Sequence, residues 1–313
     1  MQRRAATFRA VSEYFIGAAI FVTPVAAADE IASERKSAKH LHANLFVDGS
    51  FPTAQQCGKC HPQHYREWSV SQHAYAMVSP VFNTMHAKLL KETNGTLGDF
   101  CIRCHTQAGM TMKEPLVTEY VNRSQVSREG VTCIACHRVS QPYGKVSGRR
   151  HIESGPVTVP VKGPTGNSTA IYETIEDGDA TNDPNERGRK IHDGAERFFQ
   201  MVDAEFCASC HDVNGPNGLR LEEAFSHFKA SPAAKHGVSC QDCHMGKTPG
   251  VFSGDEKSNY HYGPAARVAG AWTKPRKLTN HMIVGPDYSI VHPAIFPHNK
   301  KAIKDEKNPF GLA

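Results

Sequence analysis

The sequence is short of what builds an ordinary globular interior. Only 39% of its 313 residues are hydrophobic, and there are two tryptophans. Nineteen prolines and 25 glycines interrupt it, which excludes a framework of long regular elements. Past the N-terminus there is no apolar run near the roughly 20 residues that a bilayer-spanning helix needs, so no membrane span is expected in the mature chain. Cationic residues are not gathered into a stripe either. The formal net charge is +5 with lysines and arginines spread along the chain, an arrangement that argues against nucleic acid as a partner. Side chains alone would leave a thin core for this length, and something else must fill it.

The first 28 residues read as a signal peptide. Arg3, Arg4 and Arg9 give a basic start, "YFIGAAIFV" (14–22) is a short apolar run, and "AAA" (26–28) offers a cleavage site before Asp29. The mature chain is expected to be exported, to the periplasm or beyond the cell. Its formal charge becomes +3 once three arginines and Glu13 leave with that segment.

What the sequence does have is ten cysteines, all in five pairs, each pair followed at once by histidine: Cys57–Cys60–His61, Cys101–Cys104–His105, Cys133–Cys136–His137, Cys207–Cys210–His211 and Cys240–Cys243–His244. C-x-x-C-H is the c-type haem attachment pattern. Two thiols three positions apart add to the two vinyl groups of one haem, and the next residue sets its imidazole under the iron. A disulfide framework or zinc sites would not require histidine after every pair. With 18 histidines in the chain, five such hits by chance have a probability on the order of 10⁻⁶. Five covalent haems are therefore expected, and they resolve the shortage of core. The fold expected is mainly α with extensive loops and little β, packed around the five macrocycles. Each ferric haem brings about −1, so the oxidised holoprotein lies nearer −2 than +3.

The motifs repeat. "DFCIRCH" (99–105) leads to "EGVTCIACH" (129–137), and "EFCASCH" (205–211) leads to "HGVSCQDCH" (236–244). This suggests a pentahaem domain over 57–250, made of one leading haem and two dihaem units, 99–137 and 205–244. An irregular insertion, 145–185, separates the units; its "PVTVPV" could form a small hairpin at most. Residues 29–56 form an N-terminal segment and 251–313 a C-terminal one that supplies distal ligands or contacts. A second echo is "YREWSVS" (65–71) against "FSHFKAS" (225–231). Helices are expected over 62–78 and 81–93, joined through Pro80, and over 219–230.

Thirteen histidines remain for the other face of each iron. A second imidazole there gives a six-coordinate haem suited to electron transfer, and an empty face can bind a substrate. Candidate distal ligands are His73, His236, His281, His151 and His261. His73 lies about 18 Å along a helix from His61 and should cap a different haem. His236 precedes the fifth motif where the first unit has Glu129. His86, His192, His227, His292 and His298 are expected to pack or face water, and His40, His42 and His64 are not placed. Met110 and Met112 are too close to His105 to wrap round to its opposite side.

"CGKCHPQHYREWSVSQHAYAM" (57–77) resembles the opening of the cytochrome c-554 family, tetrahaem electron carriers that work beside hydroxylamine oxidoreductase, and of its multihaem relatives. The matching residues are Trp68, Ser71, His73, Ala74, Ala76 and Met77, then the second and third motifs with Gly130 and Val131, then Cys207–His211. The resemblance covers roughly residues 55–215. It implies that His73 caps the haem on His137, that a histidine after the third motif, here His151, caps the first haem, and that the haem on His105 is five-coordinate. Beyond residue 215 the fifth motif and the histidine-rich stretch 280–299 look like parts of larger multihaem cytochromes.

The expected function is electron transport between redox protein partners, a donor and an acceptor, rather than enzymic turnover. One alternative is an oxidoreductase acting on a small nitrogen or sulfur compound (nitrite, hydroxylamine, NO, tetrathionate) at one open haem, that on His105. Another is a subunit of an extracellular haem assembly. The sequence leaves the oligomeric state open.

Overall fold

Punctuation by proline, glycine and hydroxyl caps keeps the described helices short, apart from Pro80–Glu92 with its 13 residues. The computed structural model describes residues 51–142, 147–178, 180–215, 217–246 and 261–284, all within one unit, Phe46–Ala313. The expected signal peptide, most of the segment 29–56, residues 285–299 of the histidine-rich stretch, and His40, His42, His292 and His298 lie outside the described residues. The architecture is helices and loops with little β, as the sequence leads one to expect. The strands form four two-stranded pairs. Among the described residues no helix is long and apolar enough to cross a membrane.

Each motif sits in or beside one short helix: Ala54–Gly58, Ile102–His105, Cys133–His137, Glu205–His211 and Cys240–His244. A helical turn brings residues three apart onto one face, which is what a two-thiol attachment needs. The caps are local. Thr53 and Gln56 close a capping box on the first of these helices, Ser239 and Asp242 another on the last, and Thr132 caps the third.

The helix expected over 62–78 is broken in two, Pro62–Ser69 and Gln72–Tyr75. Ser71 makes the break, because its hydroxyl accepts from the Ala74 N–H at 3.3 Å and starts a new helix instead of continuing the old one. Pro80–Glu92 follows, capped by Ser79. Of the expected 219–230 helix only Ala224–Ala230 forms. Arg220–Glu222 instead pairs antiparallel with Val213–Asn214 across a turn at Asn217 and Gly218, where Asn-Gly chemistry outweighs the apolar spacing. Within 145–185 lie a helix, Thr169–Glu176, and a strand, Val161–Gly163, that pairs in parallel with Ala195–Arg197 instead of closing a hairpin.

Buried hydrophobic side chains gather in small separate clusters. One holds Phe51, Val126, Ile134, Ile152, Phe198 and Phe206, and another Trp68 with Ala54 and Ala74. The motifs lie between and beside them.

Contacts group the motifs in a way their spacing does not suggest. The turn capped by Ser71 offers the His73 carbonyl to the Val131 N–H at 3.0 Å, just ahead of the third motif. The turn capped by Ser231 offers the Ala233 carbonyl to the Val238 N–H at 3.0 Å, just ahead of the fifth. Cys57 and Cys133 are neighbours, and so are Cys207 and Cys240. The first and third motifs thus have the same relation as the fourth and fifth. The second motif is carried in the connection between the first turn and Gly130.

Candidate haem-binding sites

A histidine that binds metal through Nε2 usually donates its other ring N–H to a carbonyl or carboxylate, which fixes ring and tautomer. Four of the five motif histidines are held in this way. Nδ1 of His61 meets the Ala265 carbonyl at 2.8 Å, His105 that of Ala76 at 2.7 Å, His137 that of Lys162 at 2.8 Å, and His244 that of Val284 at 2.6 Å. The carbonyls come from distant segments, so the fold orients these rings. Two of them belong to the C-terminal segment, whose hairpin His261–Pro264 with Pro275–Leu278 delivers residues 265 and 279–284 to the first and last motifs.

Two imidazoles bound end-on to one metal at about 2 Å each stand with ring centroids about 6 Å apart. Three pairs of histidines have that spacing across a motif. His61 and His192 are 6.0 Å apart with ring planes within 6°; His211 and His73 are 6.1 Å apart; His137 and His281 are 6.3 Å apart. His192 and His281 also turn Nδ1 to carbonyls, those of Val157 at 3.2 Å and Thr279 at 3.1 Å. Burial pushes His61, His137 and His192 down to about 4 and His73 to about 3. All four are neutral at pH 7, the form that binds metal. The residues present therefore fit haem iron held between paired imidazoles.

His64 is also 6.2 Å from His61. It lies one helical turn away, a rise of about 4.5 Å, too short a path to carry the chain round a macrocycle. Its ring belongs to another cluster, with His281 at 4.5 Å and Glu67. Glu67 is buried. Burial opposes its charge, but His281 and His64 hold its carboxyl well below the usual range, and it accepts the His281 backbone N–H at 2.9 Å.

His73 faces His211, whereas the family likeness had directed it to His137. His281 faces His137. His192, expected to pack or face water, faces His61. His151 is exposed and bonded to Ser140 at 2.5 Å; His236 is exposed at the end of the helix Pro232–Lys235, and His261 is exposed on a strand. Among the described residues none of these three turns its ring to a motif histidine. Among the described residues, His105 has no histidine ring at the paired spacing. Phe82 stacks on it at 3.8 Å, with His86 at 5.5 Å on Phe82. Nothing in the residues around His192 ("RKIHDG") distinguishes it from a surface histidine, and only the fold brings it to the first motif.

The motifs also touch one another. Besides the two contacts above, Cys104 meets Cys210. Arg150 is buried beside the second, third and fourth motifs and bonds to Ser209.

These features define a multihaem c-type cytochrome, a class of protein that carries electrons. More narrowly, residues 56–138 are similar to one family of that class, matching the family model described as cytochrome c554 and c-prime. It is also similar to the crystal structure of a penta-heme cytochrome c552 from Thermochromatium tepidum. The identity is 17% and the TM-score 0.45, over 78% of this chain and 58% of that one, so the chain spans a little over half the length of that protein. No curated protein matches.

Proposed function

We propose that this protein is an exported pentahaem cytochrome c that relays electrons between a redox donor and a redox acceptor in the periplasm. The observation that carries this reading is the set of three imidazole pairs, 6.0–6.3 Å apart. In it His61, His137 and His211 are the proximal ligands of the first, third and fourth haems, and His192, His281 and His73 their distal ligands. Cys57 and Cys60, Cys101 and Cys104, Cys133 and Cys136, Cys207 and Cys210, and Cys240 and Cys243 hold five haems, with His105 and His244 proximal in the remaining two. Each haem supplies a one-electron couple when bound. The chain fixes the axial ligands and brings the motifs side by side, which is the protein's share of the work in a relay.

The test is electron paramagnetic resonance of the oxidised protein. His192→Ala should turn one low-spin ferric haem high-spin, and His73→Ala a different one, with the covalent haem count unchanged at five. Spectra identical to wild type would overturn the pairing. A second reading, reaction of a small molecule at an open haem, is favoured by one observation: Phe82 and not a histidine packs on His105. A wild-type spectrum that is low-spin throughout and indifferent to hydroxylamine and NO would sink it.

A further inference from the structure

Beside the second motif lies a buried cationic group with two of its three nitrogens unpartnered. Arg123 and Glu114 form an ion pair whose side chains are both fully buried, Nη1 to Oε2 at 2.9 Å. Both oxygens of Glu114 are engaged: Oε2 also accepts from the Ser127 hydroxyl at 2.7 Å, and Oε1 from the Ser124 N–H at 3.0 Å. In Arg123, by contrast, Nε and Nη2 are buried with no hydrogen-bond partner. Those two nitrogens form one edge of the guanidinium, the fork that takes a carboxylate or similar planar oxyanion through two parallel bonds. An unused donor on a buried charged group is costly, so two on one edge call for an acceptor that the protein's own groups do not supply.

A second group points the same way. His86 is buried, and its Nε2 also has no partner. Burial lowers its pKa to about 4, with the charges of Arg123 and His105 adding to the effect, and Phe82 links its ring to that of His105. The cluster is tied to the haem motif itself. Thr106, the residue after His105, bonds through its hydroxyl to Ser127 at 3.0 Å. Gly109 lets these groups pack closely: a Cβ there would press on the Ser127 hydroxyl and come within 2.9 Å of Glu114 Oε2.

We infer that the Nε–Nη2 edge of Arg123, in the same neighbourhood as Nε2 of His86, is a buried binding site for a planar oxyanion next to the second haem motif. The site rests on a haem being carried by His105. Two sources share the chemistry: a propionate of that haem, or a free oxyanion such as nitrite or formate. Glu114 keeps Arg123 neutralised and oriented, so a ligand meets a fork already in place.

The experiment uses oxidised holoprotein, with nitrite and formate as probes and chloride as a control. Calorimetry should find one site per chain for each planar anion and none for chloride. Arg123→Lys keeps the charge and the Glu114 pair but loses the fork, and should weaken binding about tenfold or more. His86→Gln, which leaves the ion pair untouched, should also weaken it and serves if Arg123→Lys yields no holoprotein. If the occupant is the haem's own propionate, nitrite and formate find no site, but either substitution shifts the midpoint potential of one haem. No anion site together with unchanged potentials in the variant that folds would overturn the proposal. A covalent count of four haems, with the second motif unmodified, would instead strike the reading on which it rests.

Discussion

At the scale of single residues, Glu129 shows how burial sets a charge. It is nearly buried at the junction of the first and third motifs, where its carboxylate accepts the Ala54 N–H at 2.7 Å. Burial pushes its pKa up to about 7 from 4.5, against that bond and others. A carboxyl raised on folding stays protonated in the native state while the unfolded chain ionises, so stability falls as pH rises from about 4.5 to 7. Below that window the penalty is absent, and above it the penalty is complete. Glu129→Gln should therefore stabilise the protein at pH 8, by on the order of 3 kcal/mol at most, and change little at pH 4. Guanidinium unfolding at the two pH values measures it, and equal midpoints for both proteins at pH 8 would refute it. Residue-scale legibility divides along the same line between local and distant chemistry. The cysteines and motif histidines are readable because haem attachment fixes their spacing within five positions. His192 and Glu67 are not, because each acquires its partner through a contact with residues far along the chain.

At the scale of elements, the Ser71 turn and its copy at Ser231 are the working unit. Each ends a helix and presents a carbonyl to the strand-like approach of a G-V-[ST]-C motif. Gly130 makes this approach possible in the first copy. Its φ is +76°, and a Cβ would sit 2.5 Å from the His73 carbonyl oxygen. Gly237 is its counterpart, at φ +71° with open space around it. Alanine at either position strains the backbone, but only at Gly130 does it also push on the residue that faces His211. Gly130→Ala should cost about 1–3 kcal/mol and perturb the axial ligation of the fourth haem, seen as a new high-spin signal. Gly237→Ala should cost less and leave the spectrum alone. Equal effects from the two would mean that the turn does not position His73. The repeat itself was visible as echoing strings, yet spacing alone groups the second motif with the third. The contacts pair first with third and fourth with fifth, since an inserted motif lengthens the chain between two partners without moving them apart.

At the scale of the whole molecule, the fourth motif is a hub. Cys210 meets Cys104 of the second, Cys207 meets Cys240 of the fifth, and both lie near Cys136 of the third. Its helix, Glu205–His211, buries Phe206, Ala208 and Ser209, and Phe206 belongs to the largest hydrophobic cluster. The fifth motif's helix, Cys240–His244, buries no residue; Gln241 donates to the Met201 and Asp203 carbonyls, Cys240 neighbours Cys207, and His244 meets the Val284 carbonyl. With so little apolar side chain in the chain, a haem at the hub replaces core, whereas a haem at the edge adds to a core already complete. Removing a buried group of that size leaves a cavity that the neighbours cannot fill. Cys240→Ala with Cys243→Ala should then give a folded tetrahaem protein whose other haems keep their spectra. Cys207→Ala with Cys210→Ala should give little or no folded material, and whatever is recovered should lack a cooperative thermal transition. Haem stoichiometry, yield and melting curves of the two double variants decide it. If the variant at 207 and 210 folds as well as the one at 240 and 243, the molecule has no hub, and its motifs support the fold as interchangeable parts.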